Sequence, residues 1–248
     1  MIDAHAHLDA CGADPGELLA RARSAGVVAI VSVGTDLSAC RATLALAHAY
    51  ESVFAVLGIH PHEAAGSDAE RLDELRELLA DPRAVALGEI GLDYYRDYAP
   101  RDAQRALFTR QLELANELAK PVVIHTRAAE EDTAAALDAF SGTVILHCFS
   151  SPALLPWALE RDCYFSFAGN LTYSKADDLR AAARAVPLER VLVESDCPYL
   201  APQPVRGQAN EPAFLEHTIA VLAELRGEDP SQVAALTAEN TRNVYSLP

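Results

Sequence analysis

A strand-helix-strand unit lies in residues 85–125, which read VALGEIGLDYYRDYAPRDAQRALFTRQLELANELAKPVVIH. The runs Val85–Glu89 and Pro121–His125 at its ends are short and mostly apolar, while Asp102–Leu118 repeats apolar residues at helical spacing. Two apolar strands joined by a helix predict a parallel pair, because a parallel connection has to cross from one end of the sheet to the other.

The same alternation continues in both directions along the chain. Eight strand-like runs can be counted: Met1–Ala6, Val27–Gly34, Val53–Ile59, Val85–Glu89, Pro121–His125, Thr143–His147, Cys163–Phe167 and Arg190–Glu194. Apolar strands that alternate with helices indicate a parallel sheet covered by helices, and eight such units at this length favour closure. We therefore predict an α/β fold, a single (β/α)8 TIM barrel formed by one domain over residues 1–248, with a doubly wound open sheet as the alternative.

Charge and composition exclude several classes of protein. Twenty Lys and Arg against 36 Asp and Glu give a formal charge of −16, which argues against a basic coat for long nucleic acids. The first residues have neither a basic nor an apolar leader region, and no apolar stretch approaches the roughly 18–20 residues of a membrane span. We expect a cytoplasmic protein without membrane contact. The five cysteines include no C-x-x-C pair, so we expect reduced thiols with packing roles.

Metal-ligand side chains end several of the predicted strands. His5 and His7 close the first run and, two residues apart on a strand, point to the same side. The other candidates at strand ends are Glu89, His125, His147 and Asp196. In a (β/α)8 barrel these ends share one face, so the six side chains predict a metal centre there.

Four histidines and two carboxylates exceed the three protein ligands that one catalytic zinc usually takes, which favours two ions. We expect Glu89 to bridge them, with His5, His7 and Asp196 on one ion and His125 and His147 on the other. Imidazole and carboxylate ligands without a thiolate suit Mg, Mn or Zn. The sequence leaves the identity of the metal open.

A series of motifs resembles the TatD family of metal-dependent hydrolases from residue 3 to about residue 245. The motifs are His5-Ala6-His7-Leu8-Asp9, Gly58-Ile59-His60-Pro61-His62, Gly88-Glu89-Ile90-Gly91-Leu92-Asp93-Tyr94, Pro121-Val122-Val123-Ile124-His125-Thr126-Arg127, His147-Cys148-Phe149-Ser150, Glu194-Ser195-Asp196-Cys197-Pro198-Tyr199-Leu200 and Arg206-Gly207-Gln208-Ala209-Asn210-Glu211-Pro212. The resemblance implies a TIM barrel of the amidohydrolase superfamily, a binuclear divalent metal site and a deoxyribonuclease activity that includes 3′-to-5′ exonuclease action.

Further residues are candidates for catalysis and substrate binding. The resemblance implies that His62 binds the scissile phosphate or donates a proton. The alternative is that His60 or His62 caps or packs the loop. Glu194 either holds a third ion or supports a ligand. Guanidinium groups suit phosphate oxygens, which makes Arg127 and Arg206 candidates for the substrate chain. Tyr95, in the stretch from Tyr94 to Tyr98, either stacks on a base or packs under a loop, and Asn210 either caps a helix or touches substrate.

The ligand set predicts a metal-dependent hydrolase of ester bonds, and the resemblance implies that it is a 3′-5′ exodeoxyribonuclease. Asp196 would accept the proton of the attacking water, and Glu89 and His62 complete the catalytic set. Single-stranded or frayed 3′ ends are the expected nucleic-acid partner. The alternative is a hydrolase of another ester or amide, such as a D-aminoacyl-tRNA deacylase, and a binding module without turnover is a further rival. The oligomeric state is not determined, with a monomer slightly favoured.

Overall fold

A computed structural model describes residues 1–96 and 98–248. Within these residues, eight strands belong to one sheet whose order follows the chain from β1 to β8. The strands are β1 Ile2–Ala6, β2 Ala29–Gly34, β3 Val53–Leu57, β4 Ala84–Asp93, β5 Val122–Arg127, β6 Val144–Leu146, β7 Tyr164–Phe167 and β8 Val191–Val193. Six of the eight predicted runs contain a strand, and the other two, Val85–Glu89 and Pro121–His125, overlap the longer strands β4 and β5.

Nine α-helices alternate with these strands in the part of the chain that the structure describes. They are α1 Pro15–Ser24, α2 Leu37–Ala49, α3 Leu72–Leu79, α4 Arg101–Leu118, α5 Glu130–Leu137, α6 Leu155–Glu160, α7 Asp177–Ala185, α8 Leu215–Arg226 and α9 Pro230–Tyr245. Aspartate side chains begin α1 and α2, since Asp14 and Asp36 accept hydrogen bonds from the backbone N–H groups of Glu17 and Ala39. None of the described helices is long and apolar enough to cross a bilayer.

The chain forms two compact units. Unit 1 comprises Met1–Ser32, His147–Pro152 and Tyr164–Pro248, and unit 2 comprises Val33–Leu146 and Ala153–Cys163. The expectation that residues 1–248 form one domain stays a prediction.

Unit 1 is built on parallel pairing of β1 with β2 and of β7 with β8. Helix α9 covers β1 and β8: the Tyr245 hydroxyl donates to the carbonyl of Ala4 at 3.3 Å, and Asn240 Nδ2 donates to that of Val191 at 2.9 Å. The register of β1 against β2 shifts between Asp3 and Ala6, which is the segment that contains His5.

Unit 2 is built on β3, β4, β5 and β6, which pair in parallel in this order. The β4–β5 register also shifts, because Gly88 pairs with Val123 and Ile90 with Ile124, which leaves Glu89 as the extra residue. A bulge of this kind redirects a side chain out of the regular ladder. Pairing then continues to Asp93, four residues past the predicted end of the strand.

Glycine is required where β4 and β5 approach each other beyond this bulge. Gly91 has a φ of +138°, and a Cβ atom there would lie 2.0 Å from the carbonyl oxygen of His125. A larger residue would separate the two strands next to His125.

Candidate metal centre

Three predicted ligands meet in unit 1. His5 is the penultimate residue of β1, His7 follows the strand and Asp196 lies after β8, and all three side chains are buried. The Nε2 atoms of His5 and His7 are 3.3 Å apart, and Asp196 Oδ1 lies 4.0 Å and 3.5 Å from them, respectively. Their donor atoms are close enough together to hold one ion.

Backbone hydrogen bonds fix this group. The N–H of His7 donates to the carbonyl of Cys197 at 2.8 Å, and the N–H of Asp196 donates to the carbonyl of His5 at 3.0 Å. Asp196 itself has a φ of 55°, a left-handed conformation that aspartate tolerates better than most residues. Two backbone hydrogen bonds formed by the ligand residues themselves therefore join the end of β1 to the turn after β8.

His147 and Glu194 lie behind this group. The His147 ring stacks on His5 with a centroid distance of 3.8 Å, and its Nδ1 lies 3.0 Å from Glu194 Oε1. That oxygen also accepts the N–H of Cys148 at 2.8 Å, whereas the buried Glu194 Oε2 has no hydrogen-bond partner among the described residues. Glu194 thus orients His147, and its predicted role for a third ion stays a prediction.

Asp3 is a third buried carboxyl group in unit 1, beside Asp196 and Glu194. Its Oδ1 accepts the N–H groups of Ser195 at 2.8 Å and His5 at 3.3 Å. Burial raises the pKa of Asp3 to about 7, against the hydrogen bonds from Ser195, and the nearby Glu194 charge adds to the increase.

A second group of possible ligands lies in unit 2. His125 Nδ1 lies 2.7 Å from Glu89 Oε1, and His60 Nε2 lies 3.5 Å from the same oxygen. The donor atoms of these three residues are again close enough to hold one ion. Burial lowers the pKa of His60 to about 4 even though Glu89 opposes the shift, so its imidazole is neutral at pH 7 and available as a ligand.

Two glutamines of α4 position the strand ends of unit 2. Gln111 accepts the N–H of Ile59 at 2.8 Å and donates to its carbonyl at 2.9 Å. Gln104, two helical turns earlier, does the same for Asp93, at 2.8 and 3.0 Å. Because His60 follows Ile59, the two glutamines fix the backbone beside His60 and at Asp93.

Asp93 was not among the candidate residues that the sequence provided. Its Oδ2 lies 2.8 Å from His62 Nε2 and 3.4 Å from His125 Nε2, while Oδ1 accepts the N–H groups of Tyr95 and Arg96. Burial opposes ionisation of Asp93, but these hydrogen bonds outweigh it and hold its pKa below the ordinary value. A carboxylate therefore orients the half-buried His62.

The two arginines predicted to bind substrate, one in each unit, are exposed and stacked on tyrosines. The Arg127 guanidinium carbon lies 4.0 Å from the ring centre of Tyr95 in unit 2, and that of Arg206 lies 4.1 Å from Tyr173 in unit 1. The Tyr95 side chain is 64% exposed, which leaves much of its surface open to solvent. Stacking holds each guanidinium while its N–H groups remain available to a phosphate.

The side chain of Asn210 is buried and makes hydrogen bonds to backbone groups. Its Nδ2 donates to the carbonyls of Ser195 at 2.7 Å and Tyr199 at 2.6 Å, and its Oδ1 accepts the N–H of Glu211. These bonds fix the loop after β8, and substrate contact by Asn210 stays a prediction. Tyr199 lies in the same loop and is 57% exposed, with its ring centre 5.8 Å from that of His7. The sequence analysis had not identified Tyr199 as a candidate.

The donor chemistry of both groups fits divalent metal ions. Each consists of two imidazoles and one carboxylate without a thiolate, a set that suits Zn, Mn or Fe and, with more oxygen ligands, Mg. All six residues are buried except His125, which is half-buried, and their imidazole nitrogens face carboxylate oxygens or one another. The residues therefore fit a metal centre.

Comparison with known proteins identifies the family. The family model described as TatD related DNase matches residues 2–246. The chain is 42% identical to the uncharacterized metal-dependent hydrolase TatD of Mycobacterium tuberculosis, covering 100% of this chain and 98% of the relative. It is 35% identical to the 3'-5' ssDNA/RNA exonuclease TatD of Cronobacter sakazakii, over 94% of this chain and 92% of the relative.

A solved structure supports the same assignment. The TatD homologue YJJV of Escherichia coli K12 superposes with a TM-score of 0.92 at 30% identity, covering 100% of this chain and 98% of that one. The similarity confirms the predicted (β/α)8 TIM barrel and the predicted hydrolase. By sequence, by fold and by its buried ligand groups, the chain belongs to the TatD family of metal-dependent hydrolases.

Proposed function

We propose that this protein is a 3′-5′ exonuclease that hydrolyses phosphodiester bonds at single-stranded or frayed DNA ends with two divalent metal ions. The observation that carries the proposal is the pair of buried ligand groups, His5, His7 and Asp196 in unit 1 and His60, Glu89 and His125 in unit 2. Relatives of this chain that are named as exonucleases support the choice of substrate.

The predicted ligands are assigned to two ions. His5, His7 and Asp196 would hold one ion, and His125 and His147 the other, with Glu89 as the bridge. His60 adds a neutral imidazole next to Glu89. When bound, the ions would polarise the scissile phosphate and lower the pKa of the attacking water.

Two side chains of the protein would move the protons. Asp196 would accept the proton of the attacking water, because its carboxylate lies in the unit 1 group. His62 would donate a proton to the leaving oxygen. Asp93 keeps the His62 ring in a fixed orientation through the 2.8 Å contact at Nε2, which is what a positioned proton donor requires.

Substrate binding would use the exposed side chains. Arg127 and Arg206 would bind phosphates of the chain, and Tyr95 would stack on a base. A protein with a net charge of −16 holds long duplexes poorly, so a few arginines near the metal centre favour short contacts with a strand end. We expect low processivity.

The test is hydrolysis of a 5′-labelled single-stranded DNA oligonucleotide in the presence of Mg²⁺, Mn²⁺ or Zn²⁺ in turn. A ladder that shortens from the 3′ end, absent with chelator and suppressed when the 3′ end is held in a hairpin, would support the proposal. The same assay on RNA defines the sugar preference. Faster hydrolysis of a D-aminoacyl-tRNA ester than of any oligonucleotide would overturn it in favour of the deacylase.

A further inference from the structure

Two thiols next to the unit 1 ligands are in direct contact. The Sγ atoms of Cys11 and Cys197 are 3.5 Å apart, although the residues are 186 positions apart in the sequence. Cys197 directly follows Asp196, and the Cys11 thiol also points at the carbonyl oxygen of His7 at 3.4 Å. Both cysteines are free thiols in this structure.

We propose that Cys11 and Cys197 form an oxidation site for hydroperoxides, in which a reversible disulfide disturbs the His5, His7 and Asp196 group. The inference concerns the ligands of the proposed exonuclease and rests on that function for its effect on activity. The disulfide itself is independent of any substrate.

The two sulfur atoms are close enough for a disulfide bond to form after a small movement. A disulfide requires the two sulfur atoms to approach to about 2.0 Å, so the present pair has to close by about 1.5 Å. Cys11 lies just after the short 3-10 helix Leu8–Ala10, outside the regular sheet, and is partly exposed. The sulfur atoms therefore need a local adjustment and no unfolding.

Exposure decides which thiol reacts first. Cys11 is partly exposed, whereas Cys197 is fully buried. The Cys11 sulfur attacks one oxygen of hydrogen peroxide, the O–O bond breaks, and Cys11 sulfenic acid and one water result. The Cys197 sulfur then attacks Cys11 Sγ, the S–O bond breaks, and hydroxide leaves with the Cys197 proton as a second water. The two sulfur atoms lose two electrons, and the peroxide gains them.

The backbone connects the sulfur pair to the ligands. The carbonyl of Cys197 accepts the N–H of His7 at 2.8 Å, and the N–H of Asp196 donates to the carbonyl of His5. Because His7 Nε2 and Asp196 Oδ1 are only 3.5 Å apart, a displacement of either segment changes the geometry of the ligands. Changes around metal ligands typically cost about 10–100-fold in metal affinity, and we expect a decrease of this size in the oxidised protein.

Peptide mapping provides a test that does not depend on catalysis. Trypsin yields Met1–Arg21 and Val191–Arg206, each with a single cysteine, Cys11 and Cys197 respectively. The full-length protein, loaded with redox-inert Zn²⁺, is treated with hydrogen peroxide and mapped before and after addition of dithiothreitol. We expect the two peptides to be cross-linked, the metal to be lost on dialysis, and both effects to be reversed by dithiothreitol.

Two variants serve as controls. Cys11→Ser should form no cross-link and keep its metal after peroxide, whereas Cys148→Ser, which removes another partly exposed thiol, should still cross-link. Accumulation of Cys11 sulfinic acid without a cross-link would overturn the proposal, as would a cross-linked protein with unchanged metal affinity. If the reduced protein cleaves no oligonucleotide but the cross-link forms, the proposed function fails and the oxidation site stands.

Discussion

The two ligand groups differ in what surrounds their imidazoles. In unit 1, His5 and His7 face each other and Asp196, and the ring of His147 is stacked behind them. In unit 2, both nitrogens of His125 face carboxylates, Glu89 on one side and Asp93 on the other. A metal ion at the unit 2 group would therefore have to replace a contact between His125 and a carboxylate, whereas in unit 1 the imidazoles already face one another.

The two units also each contain a buried aspartate, and the pKa values of these two aspartates are shifted in opposite directions. Asp3 of unit 1 has a raised pKa because burial outweighs its hydrogen bonds, and Asp93 of unit 2 has a lowered pKa because two histidines and backbone N–H groups face it. The comparison shows that burial alone does not determine whether a carboxyl group is charged. The number and type of the groups that donate hydrogen bonds to it decide the direction of its pKa shift.

Among the substitutions compared at matched metal content, the largest effect is expected in unit 1, for Asp196→Asn. The amide preserves the shape of the side chain but accepts a proton poorly, so kcat should fall by about 10²–10⁴ at matched metal content. Single-turnover rates across pH measure the loss, with the exposed Asp178→Asn as the control that should retain the parent rate. A metal-saturated Asp196→Asn protein within about threefold of the parent would refute the role of Asp196 as the base.

Asp3→Asn tests the raised pKa in unit 1. Unfolded Asp3 ionises near pH 3.8, whereas folded Asp3 stays protonated up to about pH 7, so the parent takes up a proton on folding and loses stability as pH rises through this window. An amide does not titrate. The metal-free variant should therefore gain stability over the parent between pH 4 and pH 7, by at most about 4 kcal/mol.

Denaturant unfolding of the metal-free proteins at pH 4 and pH 8 measures this difference, with the exposed Asp9→Asn as a control. A gain that is the same at both pH values would show that Asp3 is ionised in the folded protein.

The arginine and tyrosine pairs allow the two units to be compared directly. Arg127→Ala in unit 2 and Arg206→Ala in unit 1 should each weaken binding of a single-stranded oligonucleotide by about 1.5–3 kcal/mol, roughly ten- to a hundredfold, while metal content is unchanged. Binding in matched salt measures the loss, and the exposed Arg184→Ala controls for net charge. Parent-like affinity in both variants would exclude phosphate contacts by these arginines.

Asp93→Asn in unit 2 should have a smaller effect, because Asp93 acts through His62 and His125. We expect a decrease of about 10–100-fold in kcat with a small change in KM, since the amide orients the two imidazoles less well. Asp73→Asn on α3 is the matched control. A larger change in KM than in kcat would place Asp93 in substrate binding instead.

The sequence was sufficient to predict the strands and to identify those ligands whose spacing matches the alternation of side chains along a strand. His5 and His7 could be identified because residues two apart on a strand share a side. Asp93 shares that spacing with Glu89, four residues before it, but was missed because β4 was ended at Glu89, where the bulge interrupts the regular pattern. With the strand extended, the same rule would have found it.

Other parts of the site depend on contacts that the sequence does not reveal. His60 lies in a turn. Its position near Glu89 depends on the two hydrogen bonds that Gln111 makes to the backbone of the preceding residue, Ile59. The contact of Cys11 with Cys197 joins segments at opposite ends of the chain. Neither has a local signal, because both arise from packing between distant elements.

The most direct test of the central claim is the number of metal ions bound per chain, measured by native mass spectrometry together with turnover. The account predicts two divalent ions in the active parent. It predicts that Glu89→Ala loses at least one ion and all turnover, because two cations then lack a shared anion, whereas the exposed Glu63→Ala keeps both. An active parent with a single ion, or a Glu89→Ala protein with unchanged metal content and full activity, would contradict the binuclear centre.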